Sequence, residues 1–97
     1  MSGNADAAAD ERRLWLVERT YGDDELNLII LVYATPDGSR YVRKERALTS
    51  FADERPTRAS ITVPRHDLGD VTDESERQRY AEEASRMAAA HDPDDHI

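Results

Sequence analysis

The chain has 97 residues, of which 35% are charged and 38% hydrophobic, and Asp and Glu outnumber Lys and Arg by 21 to 13. This length suits one small domain, and the absence of cysteine excludes disulfides, thiolate metal sites and cysteine nucleophiles. The longest apolar run, residues 28–34, is far shorter than the roughly 20 residues that span a bilayer, and residues 1–6 lack the pattern of a secretory signal. We therefore expect a cytoplasmic protein with no membrane contact.

The charge is unusual in kind as well as in amount. Of the 13 basic residues only Lys44 is a lysine, and the formal net charge is −8. A large acid excess keeps a protein soluble where salt screens its self-repulsion, so the two features together indicate a salt-adapted organism. The alternative is an ordinary acidic protein encoded by GC-rich DNA, which also favours arginine and alanine.

Short runs of alternating apolar residues predict four strands, at Arg12–Tyr21, Glu25–Thr35, Ser39–Thr49 and Arg58–Val63, with a polar connection at Phe51–Pro56. In the first strand, Trp15 and Tyr21 are expected on the face opposite to Leu14. In the second strand, apolar residues occupy both odd-numbered and even-numbered positions, so both faces of the strand are apolar. This pattern predicts a central strand that is covered on both sides.

The segment Thr35–Gly38 predicts a type I turn, because proline suits its second position and glycine its fourth. We expect a hairpin with a three-residue loop and a glycine bulge, which pairs Tyr41 with Tyr33 and Val42 with Val32. A slip of one residue would exchange the two faces of the third strand.

A helix is predicted after Asp73, which forms a capping-box pattern with Glu76 and precedes an apolar stripe made of Tyr80, Ala84, Met87 and His91. Pro93 is expected to end it. The fold class is therefore α+β, a four-stranded antiparallel meander sheet followed by one C-terminal helix packed on one face. We divide the chain into a disordered acidic tail (1–10), a single α+β domain (11–91) and an acidic C-terminal tail (92–97).

One thin, alanine-rich helix is too small to cover both faces of such a sheet. Monomers rarely expose large contiguous apolar patches, and two-fold dimers are the commonest assemblies. We therefore expect a homodimer, with a candidate interface formed by Trp15, Ile29, Leu31 and Tyr33. The alternative is that the tails or the loop at 51–57 fold over the open face.

Positive charge is concentrated in the middle of the chain. Residues 40–65 contain 7 basic and 3 acidic side chains, whereas both flanking parts are acidic. A candidate anion or nucleic-acid surface consists of Arg40, Tyr41, Arg43, Lys44, Arg46 and Arg58, and bases could stack on Tyr41, Tyr33 or Phe51. The alternative is ion pairing with Glu18, Glu45, Asp53, Glu54 or helix acids, and the loss of phosphate attraction in high salt favours it.

The polar residues do not form a recognisable catalytic constellation. The segment His91–His96 contains nitrogen and oxygen ligand types for a divalent metal, but it lies where holding a fixed geometry is costly. Carboxylate pairs such as Glu82 and Glu83 are better explained by solvation than by acid–base chemistry. We predict no catalytic residue, no metal site and no cofactor.

Two resemblances follow from these patterns. The order of four antiparallel strands and a helix, from about Arg12 to Ala90, with basic and aromatic residues on the strands, resembles the single-stranded-DNA-binding transcriptional coactivators. That resemblance implies a dimer that binds through its sheet, although the net charge and the lack of a lysine-rich strand depart from the family. The acidic, arginine-rich chain with Thr35–Ser39 and Thr62–Arg65 is similar to small haloarchaeal proteins of unknown function, which implies no particular activity.

The leading functional expectation is a non-catalytic, dimeric binding or assembly domain of a halophilic cytoplasm. The second is a single-stranded nucleic-acid-binding protein that uses the Tyr41 and Arg43 face of the third strand. A small-molecule enzyme is the third, and a deep pocket with convergent polar groups would favour it.

Overall fold

The computed structural model describes residues 10–21, 28–47 and 57–97. Within these ranges lie β1 (Glu11–Tyr21), β2 (Leu28–Ala34), β3 (Arg40–Ala47), β4 (Ser60–Pro64), β5 (Gly69–Asp70) and one α-helix, α1 (Glu74–Ala90). An antiparallel sheet followed by a C-terminal helix confirms the predicted α+β class. The predicted tail at 1–9, the start of the second strand at 25–27, the end of the third at 48–49 and the connection at 51–56 lie outside the described residues.

The strands follow the order β4–β1–β2–β3–β5, and every neighbouring pair is antiparallel. The predicted four-stranded meander is wrong in two respects, because the described residues form five strands and β4 lies beside β1 instead of β3. Residues 48–59 would reach about 40 Å when fully extended, which is enough to cross a sheet, so the apolar pattern does not determine which edge β4 joins. The apolar strand β2 is central, as predicted.

A short segment connects the two edges of the sheet. The 3-10 turn Arg65–Asp67 and Leu68 run from β4 at one edge to β5 at the other. β4 ends beside the start of β1, and β5 pairs with the start of β3, so both lie at the end of the sheet that contains the β2–β3 hairpin. The connecting segment therefore crosses this hairpin end.

The turn of the hairpin closes with the hydrogen bond that the predicted turn requires, from the Gly38 N–H to the Thr35 carbonyl at 2.8 Å. Its length differs from the prediction, because the loop is Pro36–Ser39 and thus one residue longer than expected. The cause is the Asp37 carboxylate, whose Oδ1 accepts hydrogen bonds from the Thr35 hydroxyl at 2.6 Å and the Ser39 N–H at 3.0 Å. This side chain bridges the two ends of the loop and favours the longer turn.

The longer loop shifts the strand register by one residue. Tyr33 pairs with Val42, and Ala34 pairs with Tyr41, so the predicted pairing of Tyr41 with Tyr33 is wrong. Because side chains alternate along a strand, Tyr41 lies on the sheet face opposite to Tyr33.

A β-bulge changes the faces of β1. The pairing with β2 shifts between Leu16 and Glu18, which leaves Val17 as the extra residue. Tyr21 consequently shares a face with Leu16 and not with Trp15, so its predicted face is wrong.

Helix α1 packs on β1 and β2 and buries three residues of the predicted stripe, Tyr80, Ala84 and Met87. The fourth, His91, is the half-buried C-cap residue that follows the helix. The helix covers the face that contains Trp15, because Glu18 on that face forms an ion pair with Arg79 at 3.2 Å. The core on this side therefore consists of a thin helix against two strands.

The ends of α1 agree with the sequence prediction. The Asp73 side chain accepts a hydrogen bond from the Glu76 N–H at 2.9 Å, as an N-cap residue does. The helix ends at Ala90, shortly before Pro93.

The other face of the sheet is also buried within the single chain. Leu14 is fully buried, and the Tyr33 hydroxyl donates to the Arg58 carbonyl at 2.8 Å. The four residues expected at a dimer interface are only 2–7% exposed, and Trp15 lies on the α1 side of the sheet whereas Ile29, Leu31 and Tyr33 lie on this other side. This corrects the expectation that they form an open face, because packing inside one chain already covers them.

The acidic C-terminal residues 92–97 lie along the segment that precedes β4. The Ala59 N–H donates to the Asp95 carbonyl at 2.8 Å, and the Ile97 N–H donates to the Thr57 carbonyl at 2.8 Å. These backbone bonds tie the region expected to be a tail to the edge of the domain.

Candidate functional site

The six residues of the predicted basic surface do not share one face. The strand register puts Tyr41 and Arg43 on the α1 side of the sheet, whereas Lys44 and Arg46 lie on the opposite side. Arg58 precedes β4 and lies near neither group in the sheet order. The alternation of β3 therefore divides the predicted surface.

Three of its arginines have acidic partners. Arg40 Nε lies 2.9 Å from Asp70 Oδ1, and Arg58 Nη1 lies 3.8 Å from Asp94 Oδ1. Arg43 pairs with Glu45, the one partner among these that the sequence anticipated. All these groups are solvent-exposed, and such pairs typically contribute about 0–1 kcal/mol to stability.

The predicted stacking platforms are not open. Tyr33 is 2% exposed, and the half-buried ring of Tyr41 lies so close to Gly69 that a Cβ there would be 2.8 Å from Tyr41 Cε1. Phe51 lies outside the described residues. Among the described residues, the large hydrophobic side chain that is well exposed is Tyr21, at 62%.

A different basic feature lies at the hairpin end of the sheet. A cleft of about 580 Å³, which we call the arginine cleft, is lined by Arg12, Arg13, Thr35, Pro36, Asp37, Ser39, Arg40 and Arg65. Four arginines and one aspartate thus belong to the described lining of one cavity, in a chain whose acidic residues greatly outnumber the basic ones.

The antiparallel topology explains this convergence. β1 begins, the β2–β3 hairpin turns and β4 ends at the same end of the sheet, so residues distant in sequence meet there. Arg12 and Arg13 come from β1, Arg40 starts β3, and Arg65 starts the segment that crosses the hairpin end.

The guanidinium groups of the cleft differ in how they are held. Arg13 Nη1 donates to Ser60 Oγ at 3.0 Å, and that buried hydroxyl donates to the Leu14 carbonyl at 2.6 Å. Arg65 Nη2 lies 3.5 Å from Asp10 Oδ1. Arg12 makes no side-chain hydrogen bond or ion pair with the residues that the structure describes.

The one carboxylate among the described lining residues, that of Asp37, is fully ionised near neutral pH. Hydrogen bonds from the Thr35 hydroxyl and from the Ser39 backbone and hydroxyl lower the pKa of Asp37 to about 2. These bonds also occupy both hydroxyl groups of the turn. The rim of the cleft is therefore a hydrogen-bonded, negatively charged turn beside the arginine side chains.

Arg12 and Arg13 were not among the predicted site residues, because they belong to the acidic first part of the chain. The available signal was their position at the start of a strand. In any antiparallel arrangement of alternating strands, that position meets the start of the third strand and the end of the fourth.

Comparison with known protein families decides what this chain is related to. A family model matches residues 8–97, nearly the whole chain. The chain belongs to DUF7967, a family of unknown function. No curated protein and no solved structure matched it.

Two further findings concern the described residues of this DUF7967 protein. Across residues 10–21, 28–47 and 57–97, no group of three or more His, Asp or Glu side chains is arranged to hold a metal ion. In the same ranges, no helix is both long and apolar enough to cross a membrane. Arginine stays protonated at any physiological pH, so the cleft of this DUF7967 domain provides permanent, forked hydrogen-bond donors.

Proposed function

We propose that this domain is a non-catalytic binding module that recognises an anionic partner through the arginine cleft. The observation that supports the proposal is the convergence of Arg12, Arg13, Arg40 and Arg65 on one cavity of an acidic protein. Clustering like charges costs Coulomb energy unless counter-charges are present. Asp70 and Asp10 lie beside Arg40 and Arg65, and a ligand anion would supply a counter-charge for Arg12, which has no partner among the described residues.

The chemistry of the lining side chains supports binding over catalysis. Arginine does not exchange protons near neutral pH, and the lowered pKa of Asp37 makes it a poor general base. The hydroxyl groups of Thr35 and Ser39 already bond to Asp37. The described lining thus lacks an activated nucleophile with a neighbouring base.

The proposal does not include a homodimer through Trp15, Ile29, Leu31 and Tyr33. A single chain buries all four side chains, so they no longer supply a reason for expecting a second copy. Assembly with a different macromolecule through the arginine cleft stays within the proposal.

Single-stranded nucleic acid is the weaker candidate. Sequence-tolerant binding of single strands combines a basic groove with aromatic rings on which bases stack. Tyr41 packs against Gly69, and Tyr33 lies in the core. Among the described residues, neither ring is therefore open for the bases of a nucleic acid bound along β3.

We further propose that the protein works in a salt-rich cytoplasm. The charge of −8 and the presence of one lysine among 13 basic residues support this setting. The test is a series of urea unfolding curves in increasing KCl. The midpoint should rise up to molar salt, and a midpoint that falls or stays level would contradict the proposal.

Amide chemical-shift mapping of the labelled, full-length protein tests the binding function. The titrants are inorganic phosphate, succinate, an acidic peptide and a single-stranded oligothymidylate. We expect at least one of them to shift amides of Arg12, Thr35, Ser39 and Arg65 in a saturable manner. The matched variants Arg12→Glu and Arg86→Glu both reverse one charge, and only the first should abolish the shifts. If none of the titrants shifts the amide signals of the cleft residues, the proposed function is rejected.

A further inference from the structure

The origin of the four arginines bears on the shape of the anion. They come from the start of β1, the start of β3 and the segment after β4, so the donors that line the cavity belong to three separate segments of the chain. A carboxylate has two oxygens in one plane and suits one or two guanidinium groups. A phosphate dianion has three or more terminal oxygens arranged around a tetrahedral centre, which suits donors on several sides.

The hydrogen bonds of the free protein leave donors available to such a ligand. Arg12 has no partner among the described residues, and Arg13 is held in place by the buried Ser60 hydroxyl. Arg65 and Arg40 pair with exposed carboxylates of Asp10 and Asp70, which are 62% and 71% exposed. Exposed pairs of this kind are weak, so a dianion can replace these carboxylates at small cost.

The charge around the cleft disfavours a long polyanion. Asp37 stays ionised on the rim, and the rest of the protein is strongly acidic. A nucleic-acid strand that leaves the cleft in both directions would pass over this negative surface, whereas a compact dianion would lie wholly among the arginines. The cavity of about 580 Å³ is ample for a phosphate and a small attached group.

We propose that the arginine cleft binds a phosphate dianion, either inorganic phosphate or the terminal group of a small phosphate monoester, and that Arg12 is its principal forked donor. This inference rests on the proposed function and narrows the anionic partner to one chemical class. Arg13 acts as the preset second donor, and Arg40 and Arg65 close on the phosphate when they leave their carboxylate partners.

The test measures affinities of the full-length protein for inorganic phosphate, glycerol 3-phosphate, succinate and oligothymidylate by chemical-shift titration. Either phosphate should bind more tightly than succinate and the oligonucleotide. Arg12→Gln should weaken phosphate binding about tenfold, the loss expected for one charge-assisted hydrogen-bonded contact. Arg12→Lys keeps the charge but not the fork, so it should restore only part of the affinity.

The control is Arg86→Gln, which removes the same charge from an exposed helix position paired with Glu83. It should leave phosphate binding unchanged, and an equal loss in both variants would show a general charge effect and overturn the inference. Cleft binding of succinate or the oligonucleotide without phosphate binding would overturn the inference but keep the proposed function. Failure of all four probes would overturn the inference, and failure of the acidic peptide as well would remove the proposed function.

Discussion

Gly38 lies directly against the backbone of Arg77 in helix α1. It has a φ of +74°, and a Cβ at this position would be 2.1 Å from the Arg77 carbonyl oxygen. The hairpin loop and the helix therefore approach each other closely only because residue 38 has no side chain. This contact fixes the position of the rim of the arginine cleft relative to the helix.

The first prediction concerns Gly38→Ala. The variant would suffer both the positive φ and a clash with helix backbone, which cannot rotate away, so we expect its free energy of unfolding to fall by at least about 2 kcal/mol. Urea unfolding measures this loss. Gly69→Ala is the comparison, because its Cβ would meet the ring of Tyr41 and not backbone, and a ring can shift. Equal losses of unfolding free energy in the two variants would contradict the conclusion that the helix backbone excludes a side chain at residue 38.

The second prediction concerns Tyr33→Phe. The change removes the hydroxyl that donates to the Arg58 carbonyl and leaves that oxygen without this donor. The free energy of unfolding should fall by about 1–3 kcal/mol. Tyr21→Phe is the control, since Tyr21 is 62% exposed and a surface change of this kind typically alters stability by less than about 0.5 kcal/mol. If Tyr33→Phe is as stable as the wild type, the hydrogen bond does not anchor this segment.

The type and extent of each element were predictable where burial imposes a period on the sequence. The stripe of Tyr80, Ala84 and Met87 and the cap at Asp73 correspond to the observed helix, and the doubly apolar β2 is central. The spacing of apolar residues, however, shows which side of a strand or helix is buried, and it does not show which other strand or helix lies beside it. The position of β4 beside β1 was therefore not accessible from the pattern.

Local side-chain chemistry accounts for the other differences. The register of the hairpin depends on the hydrogen bonds of Asp37, and the face on which Tyr21 lies depends on a bulge at Val17. Neither feature changes the pattern of apolar residues in the sequence. The arginine cleft was missed for a related reason. The cleft is formed where the ends of different strands meet in space, and its arginines come from separate parts of the sequence. Counting charges along the chain therefore does not bring them together.

The third prediction is the acid sensitivity contributed by Asp37. Its pKa is lowered in the folded protein from 3.8 to about 2, so the folded state binds the proton less readily than the unfolded chain. The stabilising contribution is complete above pH 3.8 and is lost as the pH falls through about 2. Asp37→Asn should therefore be less stable than the wild type at neutral pH, and the two should converge as the pH falls through this window.

Urea midpoints measured between neutral pH and the acid end of this window test the convergence. Asp92→Asn is the matched control, because it removes one exposed carboxylate outside the hairpin. Its midpoint should follow that of the wild type in parallel across the range. A constant gap between Asp37→Asn and the wild type at every pH would show that the asparagine acts through something other than the ionised carboxylate.

The fourth prediction distinguishes a core from an interface at Ile29. The side chain is 3% exposed within one chain, so Ile29→Val removes one buried methylene group, and the free energy of unfolding should fall by about 0.5–1.5 kcal/mol. The loss should be the same at every protein concentration, because unfolding of a monomer is independent of concentration. Ile30→Val, at the neighbouring half-buried position, is the control, and its free energy of unfolding should fall by a smaller amount. If Ile29 instead lies in a dimer interface, the wild-type midpoint will rise with protein concentration and Ile29→Val will weaken that dependence.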